Sequence, residues 1–486
     1  MRTMTDSAYS RLEKYFEKYS VLNNIKSMLE WDAKVNLPKA SWTARERQVK
    51  CVEGDISDFL RKKSLSDLLE NIDESSLGVW QKKNLKLIHK IKEENAIYPK
   101  RFLENIAAES MRCEILWRKA KEKSNFSIVK NSFKALLSLA KEKAKRRGEW
   151  LGKSPYEALM DIYSPQLKIE TTEKLFKELK EKLPAIIAQA RGRGEPASSI
   201  NLNEGRKFSE FAKQFATKMG FKFSCGRIDT SSHPFCSGYY EDVRMTHDYN
   251  GKNFVSALYG VIHETGHGLY LQGLPRRWVY QPVGQVCDCA ADEASALLCE
   301  FFIGRSKYFS EKIYKAISGR ADGDEKLTFF RGLKEIKSNN SIRINADVVT
   351  YPLHIILRYE IEKLLFNGDL EAEDVPECWR RKHRELLGFE ISSEAEGCLQ
   401  DMHWYVGYFG YFPSYCVGAI FAAQMYFLLG FNELQDTKGL KKKLCDLKKS
   451  FFGYGSLYGF EGLVKKCTGA QLDTSYYYRF IEAEYL

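Results

Sequence analysis

The sequence runs to 486 residues, 44% of them hydrophobic, which is ample for a large buried core. Its formal net charge of +11 raises nucleic acid as a partner. The basic clusters at 141–147, 380–384 and 438–449 are interleaved with or flanked by acidic residues or leucines, however, and no nucleic-acid motif accompanies them. They read as solvated helix faces.

Residues 1–20 are charged and amphipathic, without the apolar stretch of a secretory signal. The 12 cysteines fall at irregular spacing, as free thiols would in a reducing cytosol, and a cytoplasmic location is the expectation. From residue 7 to about 190, apolar residues recur three and four apart, so the spacing predicts successive amphipathic helices. The texture changes over 220–249. There Phe221, Phe223, Ile228, Tyr239, Tyr240 and Val243 lie among Gly, Ser and Asp, predicting a hairpin or small sheet. Helical spacing resumes after Asn253 and continues nearly to Leu486. The longest apolar run, 416–431, is shorter than the ~20 residues that span a bilayer and reads as a buried helix. With only 12 prolines and no low-complexity linker, the expectation is a mostly α protein with a small β element. A single unit over 1–486 is expected, with room for two lobes flanking a cleft.

The most informative segment is 253–273, NFVSALYGVIHETGHGLYLQG. It contains His263-Glu264-Thr265-Gly266-His267. Residues four apart share one helix face, so both imidazoles can bind one zinc ion. Glu264, one position on, would lie beside the metal, where a carboxylate can take a proton from the attacking water and pass it to the leaving amine. Gly260, Gly266 and Gly268 surround the motif, each costing about 1 kcal/mol against Ala in a helix interior. Their clustering predicts that something approaches the backbone closely.

A catalytic zinc needs a third protein ligand and one open position. The following segment, 288–304, predicts a second helix on which Glu293 sits among Ala290, Ala291, Ala294, Ala296 and Leu297. A carboxylate in such surroundings is costly unless paired or bound to metal. His263, His267 and Glu293 are therefore the expected ligands. Asp292 points about 100° away and is a weaker candidate. Cys287 and Cys289 could supply thiolates, but a Cys-x-Cys pair at a helix start has no reason to converge on His263.

Further along, Arg343 is predicted to open a helix with Asp347, His354 and Arg358 roughly on one face, unless Pro352 kinks it. Arginine's planar fork suits a carboxylate, so Arg343 and Arg244 are candidates for holding an anion, and a structural ion-pair stripe shared with Asp347 is the alternative for Arg343. The aromatic segment 403–415 offers imidazole and phenol donors for an oxyanion.

Together these residues resemble the carboxypeptidase Taq family of zinc metallocarboxypeptidases along nearly the whole chain. His233-Pro234-Phe235 is similar to its HPF element, and 242–246 to DxRxT. Residues 342–347 are similar to IRxxAD, 397–404 to GxxQDxHW, and 410–415 to the aromatic loop that follows. One departure stands at the third ligand. Where the family usually has His-Glu-Ser-Gln, this chain has Asp292-Glu293-Ala294-Ser295, which keeps the ligand and alters its neighbours.

The resemblance implies a helical zinc-peptidase scaffold with a deep substrate groove, a homodimer, peptide substrates and removal of C-terminal residues. It implies that Arg343 holds the terminal carboxylate, that Tyr415 serves the oxyanion, and that His403 and Tyr411 contact substrate. By the same reading His233 binds the peptide near the scissile bond, and Asp242 orients a metal-bound histidine. The metal is expected to be zinc, with cobalt or manganese as alternatives. An oligoendopeptidase on the same scaffold and a non-catalytic peptide-binding relative are the competing readings.

Overall fold

In the computed structural model, described for residues 7–486 except 166, 191–207, 232, 250–253, 319–324 and 337–339, helices dominate and a single three-stranded sheet interrupts them. Two apolar cores form. The smaller one joins Leu12 and Phe16 of helix Ala8–Val35 to Leu60, Leu65, Leu69, Leu85 and Ile88 of the next three helices. The larger one takes in the rest of the chain from Cys113 to Tyr485.

The predicted β element is β1 (Gly226–Thr230), β2 (Cys236–Tyr239) and β3 (Asp242–His247), in the order β1-β3-β2. β2 and β3 form the antiparallel hairpin, and β1 adds to β3 in parallel. Alternation along β3 buries Val243 and Met245 on one face. That face receives helix Phe254–Gly273, which carries both histidines; Asn253 lies outside the described residues. Gly268 permits the contact, since a Cβ there would stand 3.2 Å from Met245 Sδ and 2.7 Å from the Phe221 ring beside it.

Helix Cys289–Leu297, which carries Glu293, is clasped from two sides. On one side Gly266 lies so close that a Cβ would meet Ala296 Cα at 2.5 Å, and Ser295 Oγ donates to the Gly266 carbonyl at 2.7 Å. On the other, Gly418 of helix Phe412–Leu428 would bring a Cβ to 2.8 Å from the Ala290 carbonyl oxygen. The expected close approach to the glycines around the histidine motif is thus real at Gly266 and Gly268. At Gly260 it is absent, the nearest atom to a Cβ being Pro234 Cγ at 3.6 Å.

Three expectations need correction. The helix over 288–304 is α-helical only to Leu297, then widens into a π-helix over Leu298–Ile303. Arg343 opens a single 3-10 turn, Arg343–Asn345, and the long helix starts afresh at Tyr351–Asn367. Pro352 sits in that helix's first turn, where its missing N–H is harmless, so it starts the helix and kinks nothing. Among the basic clusters Arg147 is buried, not solvated. The 416–431 run lies largely within the buried helix Phe412–Leu428, and no helix among the described residues is long and apolar enough to cross a membrane. All twelve cysteines are free.

Candidate metal centre

His263 and His267 project from one face of their helix toward Glu293. His263 Nε2 stands 3.9 Å from Glu293 Oε1 and His267 Nε2 3.7 Å from Oε2. One donor atom from each of the three residues lies within 4.8 Å of the others, a spacing one cation can bridge. The other imidazole nitrogens are held from behind. Glu300 Oε2 lies 2.9 Å from His263 Nδ1, and Asp292 Oδ1 lies 3.0 Å from His267 Nδ1, the latter meeting as an ion pair more than an aligned hydrogen bond. A carboxylate at Nδ1 fixes the proton there and leaves the Nε2 lone pair for the metal. Arg305 Nη2, 3.6 Å from Glu300 Oε1, anchors the outer end of this chain.

Four carboxylates thus surround two imidazoles, and the charge balance calls for a cation. Burial opposes protonation of His267, yet Asp292, Glu264 and Glu293 push its pKa up to about 10. Burial, eased by the two histidines, pushes Glu264 and Glu293 upward. Glu264 Oε2 is buried with no hydrogen-bond partner among the described residues. An orphaned carboxylate oxygen beside three metal-type donors fits a site built for a divalent ion and a water. The cysteines stay out of it: Cys287 donates to the Tyr458 carbonyl at 3.2 Å, and burial pushes both Cys287 and Cys289 well up, as neutral thiols.

The second wall comes from two distant segments. Arg343 is 7% exposed, its guanidinium 4.9 Å from the Tyr415 ring, and Asp401 holds its pKa up against burial. The Tyr415 hydroxyl lies 3.3 Å from His403 Nε2, and the Tyr411 and Tyr415 rings meet edge-on at 5.0 Å. Burial, opposed by Asp401 and reinforced by Arg343 and Arg358, brings His403 down to about 3, so its imidazole is neutral. Tyr415 is pushed up by burial and keeps its proton. His233 is solvent-exposed, yet the protein around it and then Arg343 depress its pKa, as on the wall of a cleft.

Arg244 and Asp242 are engaged elsewhere. They pair with each other through two bonds of 2.9 and 2.8 Å, and Arg244 stacks 4.8 Å over Trp31. Asp242 therefore does not orient a histidine; Asp292 and Glu300 stand where such a residue must. Glu300 was open to discovery in the sequence, being two helical turns beyond Glu293. Behind Arg343 stand Asp401, 58 positions on, and Arg358, 15 positions on; the expected helix face already grouped the two arginines, but only the fold brings Asp401 to both.

Residues 11–485 match the family described as carboxypeptidase Taq (M32) metallopeptidase. The chain belongs to that family. Carboxypeptidase 1 of Bacillus subtilis (strain 168) is 33% identical over 409 residues, 82% of this chain and 81% of that protein. Thermostable carboxypeptidase 1 of Pyrococcus furiosus is 29% identical over 505 residues, 98% of this chain and 97% of that one. Among solved structures, Trypanosoma cruzi metallocarboxypeptidase 1 superposes with a TM-score of 0.89 at 31% identity, covering 98% of this chain and 99% of that chain. The family resemblance read from the motifs and the helical peptidase fold are both borne out. The protein is a metallocarboxypeptidase, a peptide hydrolase that requires a divalent metal.

Proposed function

We propose that this metallocarboxypeptidase uses zinc held by His263, His267 and Glu293 to remove single C-terminal residues from peptides. The donor set favours zinc over cobalt or manganese, since two neutral imidazoles and one carboxylate with an open position suit it. Bound there, zinc supplies Lewis acidity that polarises a carbonyl and acidifies water. The chain's own residues do the rest. Glu264, with Oε2 unpartnered, takes the proton from the attacking water and returns it to the departing amine. The Tyr415 hydroxyl donates to the oxyanion that develops at the carbonyl, steadied by neutral His403 at 3.3 Å. His233 and Tyr411 line the peptide's path.

The observation that carries the exopeptidase reading is the state of Arg343. Two of its nitrogens are bound by Asp401, while Nη1 has no hydrogen-bond partner among the described residues. A guanidinium whose charge reaches Glu293 and that keeps one nitrogen free suits a terminal carboxylate. Arg244, its competitor, already has a carboxylate in Asp242. An oligoendopeptidase would need no such clamp.

The test compares wild type with Glu264→Gln at equal metal content, on one peptide with a free or an amidated C-terminus. Wild type should release the last amino acid from the free acid alone. Glu264→Gln should lose on the order of 10²–10⁴ in kcat. Cleavage of the amide at the wild-type rate would favour an oligoendopeptidase instead. Bound metal without hydrolysis of either form would point to a peptide-binding relative. A homodimer, a cytoplasmic location and a single functional unit over 1–486 belong to the same proposal, the first and last resting on the family resemblance and the location on the twelve free cysteines.

A further inference from the structure

Asp401 is shared. Its Oδ1 accepts from Arg343 Nε at 3.1 Å and Nη2 at 2.9 Å, and its Oδ2 accepts from Arg358 Nε at 2.6 Å. Arg358 is fully buried, and every nitrogen of its fork is occupied. Nη1 donates to the His354 carbonyl at 2.5 Å and Nη2 to Gln400 Oε1 at 2.6 Å. The same Gln400 oxygen accepts the Arg343 backbone N–H at 2.9 Å, which ties the two arginines together a second time. Trp379 and Phe412 cover the guanidinium's faces at 4.7 and 5.4 Å.

Two buried guanidiniums therefore divide one carboxylate. Of the other carboxylates nearby, Glu293 faces the two imidazoles of the metal centre, and burial pushes Glu362 up to about 7, which leaves it only partly charged. Glu362, one turn along the same helix, has its oxygens taken by neutral donors: Tyr156 Oη, Trp404 Nε1 and the Gly410 N–H. Burial holds His354, His383 and His403 neutral. Burial and, against the pull of Asp401, the neighbouring Arg343 bring Arg358 down to about 10. A purely structural pair would need one arginine, and a second buried cation is costly unless an anion answers it.

We propose that Arg358 is a positioning residue for substrate selection: by claiming half of Asp401 it leaves Arg343 short of counter-charge, so that a peptide's free C-terminal carboxylate completes the cluster at Arg343 Nη1. Arg358 would touch no part of the substrate. The inference rests on Arg343 facing that carboxylate.

The test uses a competitive inhibitor, a peptide with a non-cleavable last bond, prepared as free acid and as amide, against the metal-loaded enzyme. Arg358→Gln hands Asp401 wholly to Arg343, and should raise Ki of the acid on the order of tenfold while leaving Ki of the amide unchanged. Arg358→Lys keeps the charge and should hold the acid's Ki within about threefold of wild type, a rescue that loss of packing alone would not give. Equal changes for acid and amide in Arg358→Gln would overturn the proposal. Arg343→Ala separates the two readings. If it leaves the acid's Ki unchanged, the assignment of Arg343 itself fails; if it raises Ki while Arg358→Gln does not, only the role of Arg358 falls. Should Arg358→Gln not fold, salt decides on the wild type. Buried charge is weakly screened, so the acid-to-amide ratio should persist to about 1 M salt, and its collapse would place the selecting charge on the surface.

Discussion

Two carboxylates stand behind the metal-facing imidazoles, and they are not equivalent. Glu300 meets His263 in a hydrogen bond of 2.9 Å and is itself anchored by Arg305, whereas Asp292 meets His267 at 3.0 Å and is 36% exposed. Outer partners of metal ligands are typically worth 10–100-fold in metal affinity. Glu300→Ala should therefore weaken zinc binding by about 100-fold, and Asp292→Ala by about tenfold, measured by competition with a chromophoric chelator. Saturating zinc should restore most of kcat in both, because neither residue handles the substrate. A loss of kcat that persists at full occupancy would instead give one of them a direct part in the reaction. The clustering of His263, His267 and Glu293 was legible because it follows from spacing along helices. Asp292 was undervalued for the same reason: an offset of about 100° disqualifies a fourth ligand but suits a group that meets an imidazole from the side. Asp242 misled because alternate residues of a strand share a face, which lets it pair with Arg244 two positions on at little entropic cost.

At the level of elements, the site depends on how closely two helices can approach. Glu293 reaches both histidines because Gly266 lets its helix sit against theirs, with no room for a methyl group beside Ala296. Gly266→Ala should destabilise the protein by about 2 kcal/mol, within the range of overpacked cores. Zinc affinity should fall as well, since the displaced helix carries Glu293, the proposed third ligand. Thermal denaturation with and without zinc reads both effects, and the stabilisation on adding zinc should shrink relative to wild type. An unchanged zinc-induced shift would mean that the two helices yield without separating His263 and His267 from Glu293. The sequence made the glycine cluster conspicuous, but it could not say which neighbour filled each gap. Nor did apolar spacing reveal the π-helix at Leu298–Ile303, because widening one turn hardly alters which residues look buried.

Across the whole molecule, the smaller core and the larger one are joined by a buried charge cluster. Asp161, 4% exposed, accepts Lys90 at 2.9 Å from the side of the smaller core. It also accepts Arg147 at 3.0 Å and Lys153 at 2.9 Å from its own side, while Arg147 also pairs with Glu94. Hydrophobic pattern predicts each of these helices, but a cluster drawn from three helices and the turn at Lys153, up to 71 residues apart, leaves no local trace, which is why Arg147 looked like part of a solvated basic run. Burial works against ionisation of Asp161, yet Lys153 and Lys90 overcome it and hold the carboxyl well below the ordinary range. A folded-state pKa below the unfolded value means stability that is present above about pH 4 and lost as pH falls through the folded value. Removing one partner from a buried cluster strands the others, so Asp161→Asn should cost about 3 kcal/mol at pH 7. That difference should narrow steadily below pH 4, because wild type protonates its own Asp161 and comes to resemble the variant. Denaturant unfolding of both proteins across that range decides it. A gap that stays constant into acid would show that Asp161 acts through packing and hydrogen-bond geometry, with its charge contributing nothing to the join between the cores.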